Sequence, residues 1–459
     1  MTSPDVRPEP HPSTVFSLVP INPRAKAVLD HPSNGHLISV VHNPDDPLNN
    51  LGINVGPHIS SSSQYALTTL GRGGTDITLE GATISRTHCS FDINQEFGTI
   101  LLHDRSTAQA TNFFGEDRQS FEKGRIRRVV VAPAVNTLLG IGGHDGRQLL
   151  FKLLWHKEVI NWKDMLKIQS QNSCDTRTVS SSRCPTSLNT PAAPSSTARY
   201  ASLHKIGTET FGDVWQAVET DTGMLITVKV VKDYVHGTND VRRMMVKREL
   251  DTLAKLSHPH VVECKGFWQD LGSLTILMAL RDGNVEDLIH QGVSEPTSDR
   301  HLAVTVLRHV LIGIHYLSSK NIAHRNLKPA NIIFTKNTEA GCQFQITDFS
   351  VANSASNTTT VVMSPRYAAP EVLCSDGRLQ TSKADIWSLF VTMAHVLNVD
   401  GYRDKTFGTH AEIIQSACNA AEDRDMSDIK DMVIVEPEER ASAAQMLQRL
   451  LGGELGYAA

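Results

Sequence analysis

The sequence predicts a multidomain protein in which an N-terminal all-β sandwich precedes a larger α+β domain with two lobes. From about residue 36 to residue 155, short apolar runs alternate with turn residues, as in a sandwich or barrel. After residue 200, strand-like runs give way beyond residue 285 to helical periodicity, which indicates a small sheet-rich lobe followed by a helical one. A chain of 459 residues accommodates two or three domains at roughly 100–200 residues each.

The strands of the N-terminal domain, placed at 36–155, are predicted from short apolar runs. Residues 1–35 come before them and are rich in Pro, Ser and His, so we expect a disordered N-terminal tail there. The runs that predict strands are HLISVV, YALTTL, HCSFDI, GTILLHD, RVVVAP, TLLGIG and LLFKLLW.

A linker is predicted at 156–199, between the two domains. Its stretch QSQNSCDTRTVSSSRCPTSLNTPAAPSSTA is dominated by Ser, Thr, Pro and Asn and cannot bury enough apolar surface to fold. One interpretation is a flexible spacer. The other is a segment that carries phosphorylation sites, for which Thr190 before Pro191 is the best candidate.

Composition narrows the class of protein. A net charge of -5 is mild and argues against direct binding to nucleic acid. The start of the chain, MTSPDVRPEPHPS, lacks the pattern of a signal peptide, and no uninterrupted apolar run of about 18 residues predicts a membrane span. The seven cysteines are scattered without a metal-binding or disulfide pattern. We therefore expect a protein of the nucleus or cytoplasm that contacts no membrane.

The C-terminal domain contains a series of motifs in a characteristic order. Gly207 and Gly212 flank a loop whose glycines would let the backbone approach phosphates, although an ordinary hairpin would look the same in isolation. Lys229 lies in the strand-like run LITVKVV, and Glu249 lies in the helical stretch VRRMMVKRELDTLAKL. The motifs that follow are HPHVV, AHRNLKPAN, ITDFS, YAAPEVL, ADIWSLF and PEERAS.

This ordered set resembles the eukaryotic protein kinase family over residues 200–452, with a short tail at 453–459. The resemblance implies ATP and Mg²⁺ as cofactors. It implies that Lys229, held by Glu249, contacts the nucleotide phosphates and that Lys328 lies near the transferred phosphate. It further implies Asn331 and Asp348 as the Mg²⁺ ligands. The nucleotide-binding positions that it implies are Gly207, Gly212, Val214, Lys229, Met278 and Leu280, and the structural ion pair is Glu371 with Arg440.

The chain departs from the family where the chemistry takes place. Asn326 occupies the position of the aspartate that orients the substrate hydroxyl and accepts its proton, and an amide cannot hold a proton usefully. A positioned general base contributes typically 10²–10⁴-fold. Glu209 replaces the middle glycine of the phosphate loop and adds negative charge, which should weaken nucleotide binding. Ser350 replaces the glycine of the DFG motif. These departures are typical of a pseudokinase.

The N-terminal domain contains a second set of candidate binding residues. Gly71-Arg72 ends one strand-like run, and the motif SRTH from Ser85 to His88 comes before the next. A guanidinium suits phosphate oxygens, and a serine hydroxyl adds a neutral donor. The pattern resembles the forkhead-associated (FHA) domain, which implies recognition of phosphothreonine peptides. The alternative is a sandwich that only packs against the kinase-like domain. The phosphopeptide-binding residues that it implies are Arg72, Ser85, Arg86 and Thr107, with His88 as a buried hydrogen-bonding residue.

One expected FHA feature is missing. The family usually has an Asn-Gly pair that grips the peptide backbone, and the stretch HDRSTAQATNFFG offers Thr107, Gln109, Thr111 and Asn112 instead. The domain order is that of checkpoint-type kinases. We therefore predict a phosphothreonine-guided signalling protein that binds ATP but is catalytically impaired. Its expected partners are phosphothreonine-containing proteins, including a second copy of this chain that binds through a linker phosphothreonine. The alternatives are an active Ser/Thr kinase and a non-enzymatic scaffold.

Overall fold

The computed structural model describes residues 8–43, 50–59, 61, 66–94, 96–121, 126–143, 147–157, 199–209, 212–231, 250–270, 273–291, 296–337, 341–348, 364–373 and 381–452. The chain divides into two compact units. The first contains residues 1–207 and 214–228, and the second contains residues 208–213 and 229–459. Each unit has its own large hydrophobic core. The predicted linker at 156–199 falls almost entirely outside the described residues, as does the tail at 453–459.

The first unit contains a β-sandwich, which confirms the all-β prediction. One sheet has six strands in the order β2-β3-β1-β11-β10-β8, and the other has five in the order β5-β4-β6-β7-β9. Neighbouring strands are antiparallel except for the parallel pair β4 and β5. The strands are β1 (Phe16–Pro20), β2 (Ile38–Val40), β3 (Leu51–Val55), β4 (Ala66–Gly71), β5 (Ile77–Thr78), β6 (Cys89–Ile93), β7 (Ile100–Asp104), β8 (Thr111–Phe114), β9 (Arg128–Val131), β10 (Leu138–Ile141) and β11 (Leu149–Trp155).

The prediction of a disordered tail at 1–35 is wrong for the part that the structure describes, which begins at residue 8. Strand β1 is wholly buried and lies between β3 and β11 in the middle of its sheet. Phe16 meets Phe91 of the other sheet edge-on, with ring centroids 5.0 Å apart. This segment is ordered because β1 supplies apolar side chains to the sandwich core and forms backbone hydrogen bonds with strands distant in sequence.

A short helix follows β1 and also belongs to the sandwich. Helix α1 (Pro23–Leu29) begins after Asn22, whose side chain accepts a hydrogen bond from the amide of Ala25, and Pro23 occupies its first turn. A 3₁₀ turn at Pro32–Leu37 comes next. Asn34 in this turn is buried, and its side chain donates to the carbonyl oxygens of Val28 and Thr78, both at 2.9 Å. The N-terminal segment is thereby fastened to the second sheet.

Three strands of the C-terminal domain come after the predicted linker. Most of β12 (Tyr200–Glu209) and β13 (Gly212–Glu219) belongs to the first unit. Strand β14 (Leu225–Val231) begins in the first unit and continues into the second at Lys229.

The second unit combines small sheets with a larger helical part, as the periodicity predicts. Strands β15 (Cys264–Asp270) and β16 (Ser273–Ala279) form an antiparallel hairpin, and β17 (Gly283–Asn284), β18 (Ile332–Asn337) and β19 (Gly341–Ile346) form a three-stranded sheet. Its helices are α2 (Val285–His290), α3 (Pro296–Ser319), α4 (Pro370–Leu373), α5 (Ser382–Val396), α6 (His410–Ala420) and α7 (Ala443–Leu451). Its 3₁₀ turns are Pro329–Asn331, Pro365–Tyr367, Val399–Gly401 and Ser427–Val433.

Helix α3 lies in the middle of the second core. Its residues Val306, Val310 and Leu317 are buried, and the helix packs against α5, α7 and β19. Within the described residues, Arg300–Ser319 is the one helical stretch long and apolar enough to cross a membrane by length and composition. Some of its apolar residues, including Val306, Val310 and Leu317, belong to the protein core.

Candidate functional site

The first candidate site lies at one end of the sandwich, where Arg72 follows β4. The backbone amide of Arg72 donates to the carbonyl oxygen of Ser85 at 3.1 Å. The two chains approach so closely that a Cβ on Gly71 would lie 2.1 Å from the carbonyl oxygen of Arg86. This contact explains the glycine before Arg72, because any side chain at position 71 would collide with backbone.

His88 is hydrogen-bonded to this loop. It is completely buried, and its Nδ1 accepts a hydrogen bond from the backbone amide of Ser85 at 3.1 Å. Its Nε2 lies 3.4 Å from the carbonyl oxygen of Ala110. Since Nδ1 accepts, the proton of a neutral ring is on Nε2 and points to Ala110. Burial lowers the pKa of His88, which favours this neutral form. The contacts are those of the structural residue that the sequence predicts.

The implied phosphopeptide residues lie on two adjacent loops. The hydroxyl oxygen of Ser85 accepts a hydrogen bond from the backbone amide of Thr107 at 3.2 Å. Arg72, Arg86 and Thr107 are exposed, and Ser85 is half-buried. Arg72, Ser85 and Thr107 are therefore joined by hydrogen bonds, and the side chains of Arg72, Arg86 and Thr107 are exposed on these two loops. This set can bind an anion through charge-assisted hydrogen bonds.

Sequence reasoning missed the residues that shape the second loop. The carboxylate of Asp104 accepts hydrogen bonds from the amide and the hydroxyl of Ser106, at 3.0 and 2.7 Å. Arg127 donates to the other oxygen of Asp104 at 2.8 Å and to the carbonyl oxygens of Gln109 and Thr111 at 3.1 and 3.0 Å. The Asp-Arg-Ser sequence is a signal for this turn, since Asp and Ser side chains form hydrogen bonds with nearby backbone. The contacts of Arg127 have no such signal, because Arg127 is distant in sequence from the turn.

The second candidate site is built around the loop from His324 to Asn331. Its first residues are fixed by Asp385, whose two carboxylate oxygens accept hydrogen bonds from the backbone amides of His324 and Arg325, both at 2.8 Å. Asp385 is buried, and this burial raises its pKa despite the hydrogen bonds that oppose the shift. Arg325 has a positive φ of 65°, which this double contact stabilises. The sequence contained Asp385 within ADIWSLF but did not reveal its role.

Asn326 is held in place immediately after this anchor. It is buried, and its carbonyl oxygen accepts a hydrogen bond from the side-chain amide of Asn331 at 2.7 Å. The carbonyl oxygen of Asn331 in turn accepts from the amide of Thr347 at 3.0 Å, one residue before Asp348. The structure therefore brings Asn326, Asn331 and Asp348 together through backbone contacts. The Nζ of Lys328 donates to the hydroxyl of Ser364 at 3.2 Å.

Lys229 and Asp348 contact each other directly. The ammonium of Lys229 on β14 forms an ion pair with the carboxylate of Asp348, and both side chains are largely buried. Asp348 has a positive φ of 63°, which is uncommon outside glycine. The implied metal-binding carboxylate and the implied phosphate-binding cation are therefore together in one cluster.

The remaining nucleotide positions lie on strands and at strand ends. Met278 lies near the end of β16, and its sulfur accepts a hydrogen bond from the hydroxyl of Thr347 at 3.7 Å, while Leu280 follows that strand. Gly207 and Val214 are in the first unit. Gly212 is in the second unit, where a Cβ would lie 2.0 Å from the carbonyl oxygen of Val230.

Some predicted positions cannot be located. Glu249, Ser350 and Thr190 fall outside the described residues, and the structure gives only the backbone of Glu209, at the end of β12. Their assigned roles stay predictions. Within the described ranges, three or more His, Cys, Asp or Glu side chains do not cluster as a metal site. The implied Mg²⁺ ligands are one carboxylate and one amide oxygen.

Comparison with known proteins agrees with both resemblances. The family model described as protein kinase domain matches residues 200–451, more than half of the chain. The family model described as FHA domain matches residues 68–119, which include Arg72 and the SRTH motif.

The similar proteins are mainly Ser/Thr kinases. Serine/threonine-protein kinase sid1 of Schizosaccharomyces pombe is 34% identical over 207 residues, which are 43% of this chain and 41% of that protein. Calcium-dependent protein kinase 5 of Plasmodium falciparum is 31% identical over 194 residues, 41% of this chain and 32% of that protein. Probable serine/threonine-protein kinase fhkE of Dictyostelium discoideum is 28% identical over 261 residues, 53% of this chain and 36% of that protein. The matched region spans less than half the length of each relative.

Proposed function

The chain belongs to the protein kinase family, and we propose that it is a phosphothreonine-guided signalling protein whose kinase domain transfers phosphate poorly. The observation that carries the proposal is Asn326. The loop around it is held by hydrogen bonds to Asp385 at its start and from Asn331 at its end. Within this loop, Asn326 replaces the one group that would accept the proton.

The amide of Asn326 changes one function of this position and leaves another. Its oxygen can accept a hydrogen bond from a substrate hydroxyl and so help to orient it. It cannot take the proton as a carboxylate does, and that loss is a factor of about 10²–10⁴ in rate. Because phosphoryl transfer depends chiefly on positioning and electrostatics, we expect slow transfer rather than none.

The ion pair between Lys229 and Asp348 supports weak nucleotide binding. To bind nucleotide, Lys229 would exchange this carboxylate for phosphate oxygens, and Asp348 would then be available to hold a metal ion. Asp348 and Asn331 offer the oxygen ligands that Mg²⁺ prefers, so these residues fit the ion and would hold it. When bound with nucleotide, Mg²⁺ neutralises charge on the phosphates. The negative charge of Glu209 near the phosphate loop works against binding.

The FHA domain supports phosphothreonine recognition. Arg72 and Arg86 are exposed cations on the same loops as Ser85, and a guanidinium pairs with phosphate through two parallel hydrogen bonds. Its ligands would be phosphothreonine-containing proteins, including the linker of another copy of this chain when Thr190 is phosphorylated. We also propose a nuclear or cytoplasmic location, because the seven cysteines of the sequence form neither a disulfide pattern nor a metal-binding pattern.

The experiment is phosphate transfer from radiolabelled ATP to a general protein substrate, measured on the full chain. Asn326→Asp restores the missing carboxylate, and Lys229→Met removes the phosphate-binding cation. Calorimetry with Mg-ATP on the same proteins separates binding from transfer. An active kinase would transfer phosphate rapidly without the Asn326→Asp substitution. A scaffold would bind no nucleotide in any variant.

A further inference from the structure

The second sheet of the FHA sandwich ends at β9, and this edge is occupied. Edge strands present unpaired backbone groups that a further segment can bind. The amide of Val130 on β9 donates to the carbonyl oxygen of Thr220 at 2.8 Å. Thr220 follows β13, so it belongs to the region that matches the kinase family model. The segment that covers the sandwich edge therefore comes from the kinase domain.

Side chains of the sandwich bind the turn that follows. The side-chain amide of Asn94 donates to the carbonyl oxygen of Thr222 at 2.8 Å, and the hydroxyl of Thr99 donates to the carbonyl oxygen of Gly223 at 2.7 Å. The guanidinium of Arg128 donates to the carbonyl oxygen of Asp221 at 2.9 Å. Three consecutive carbonyl groups of one turn are thus satisfied by donors from the sandwich.

An apolar cluster lies next to these hydrogen bonds. Leu101 and Val130 are cross-strand partners on β7 and β9, and their side chains lie outside the main sandwich core. They pack with Val218 of β13, which is 0% exposed. Their sequence neighbours Leu102 and Val131 point into the sandwich core, as the alternation of a strand requires. Without the β13 segment, an apolar patch on the outer face of this sheet would face water.

Gly223 shows how closely the turn fits against the sandwich. Its φ is +75°, a conformation that favours glycine. A Cβ added there would lie 2.4 Å from the hydroxyl oxygen of Thr99. The turn therefore fits against the sandwich only because position 223 has no side chain.

We propose that the outer face and the β9 edge of the second FHA sheet are an internal docking surface for the turn Thr220–Met224 of the same chain. The FHA sandwich is then a built-in support of the first strands of the kinase domain, in addition to any role in binding phosphopeptides. Its occupant is this chain's own segment, held by the hydrogen bonds and apolar contacts above. The proposal is independent of whether the kinase domain is active.

A matched pair of glycine substitutions tests the docking in the full chain. Gly223→Ala places a Cβ against the hydroxyl of Thr99 and should displace the turn, so the amide of Val130 should exchange faster with solvent. Gly401→Ala is the control, because Gly401 also has a positive φ (+67°) but a Cβ there would meet nothing within 4 Å. Equal exchange at Val130 in the two variants would overturn the proposal.

A second test changes the sandwich side of the contact and leaves position 223 as glycine. In the unmodified chain the amide of Val130 should exchange slowly, because Thr220 accepts its hydrogen bond. Removing two turn contacts with Asn94→Ala and Thr99→Ala should speed exchange at Val130 and in residues 218–225 on the order of tenfold, at about 1 kcal/mol or less per bond. Asn112→Ala, an exposed change on the other sheet, is the control. Equal, rapid exchange in all three proteins would contradict the docking.

Discussion

Glu371 and Arg440 form an ion pair that solvent hardly reaches, although they are 69 residues apart in sequence. Two parallel hydrogen bonds join the guanidinium to the carboxylate, at 2.8 Å and 3.0 Å. The same guanidinium donates to the carbonyl oxygens of Ile434 and Lys383, both at 2.8 Å, and lies over the ring of Trp387. Its charge is therefore fully compensated, and it connects three parts of the helical region.

Arg440→Ala should strongly destabilise the kinase domain. It leaves the carboxylate of Glu371 buried without its cation, which costs about 3–5 kcal/mol. Arg449→Ala breaks an exposed ion pair with Asp431 in the same region and should cost about 1 kcal/mol or less. Denaturant unfolding of both variants measures the difference. Equal losses of stability would show that the buried pair is not structural.

Acid should destabilise the kinase domain through a group of stacked histidines. The rings of His260 and His309 stack at 4.2 Å, and His258 stacks on Tyr316 at 4.5 Å. Burial, followed by the nearby charge of His260, lowers the pKa of His258 and of His309 from 6.5 to about 4. The unfolded chain then binds protons more readily than the folded one, so stability is complete above about pH 6.5 and falls toward pH 4.

A matched pair of substitutions tests this histidine group. His309→Gln removes one titrating ring and should reduce the loss of unfolding free energy between pH 7.5 and pH 5. His301→Gln changes an exposed histidine of the same helix, α3, and should leave the pH dependence as it is. Urea unfolding at both pH values provides the comparison. An identical pH dependence in the two variants would rule out His309 as a contributor.

Arg72→Ala should abolish binding of phosphothreonine peptides by the FHA domain. The substitution removes an exposed guanidinium from the residue whose backbone is hydrogen-bonded to Ser85, and a hydrogen bond to a charged group contributes about 1.5–3 kcal/mol. Calorimetry with a degenerate phosphothreonine library measures the loss. Arg118→Ala removes an exposed arginine elsewhere on the sandwich and serves as the control. If unphosphorylated peptides bind equally well, phosphate recognition is the wrong explanation for this loop.

Phosphorylation of the linker should promote self-association. A phosphate on Thr190 would present the ligand of one copy to the FHA domain of another, and a second contact between the two copies would raise the effective concentration. Light scattering before and after phosphorylation should show an increase in mass that Thr190→Ala prevents. An unchanged mass on phosphorylation would exclude this mode of association.

Local patterns in the sequence predict much of the fold. All the apolar runs quoted for the sandwich contain strands, because each combines β-forming residues with turn residues at its ends. Strand β1 was missed because its five residues lie in a polar segment and pair with β11, far along the chain. The start of α1 did have a signal, since Asn22 before Pro23 is a typical helix beginning.

The supporting contacts of the sites are harder to predict than their motifs. Asp385 binds the loop at His324 from about 60 residues away in sequence. Arg127 fixes the turn at Asp104 and Ser106, and the local sequence of that turn indicates only the contact between Asp104 and Ser106. The docking of Gly223 against Thr99 is likewise a fit between distant surfaces. A motif and its spacing identify the residues of a site. They do not identify the distant side chains that form hydrogen bonds with those residues.

The most direct test of the central claim is the rate of phosphate transfer by the unmodified chain and by Asn326→Asp under saturating Mg-ATP. We expect very slow transfer by the unmodified chain and partial restoration by Asn326→Asp, within the factor of about 10²–10⁴ that a general base supplies. Restoration should be partial, because Glu209 and Ser350 remain and neither acts through the base. Lys229→Met should abolish what activity there is. Rapid transfer by the unmodified chain, unchanged by Asn326→Asp and abolished by Lys229→Met, would contradict the claim that this kinase domain is impaired.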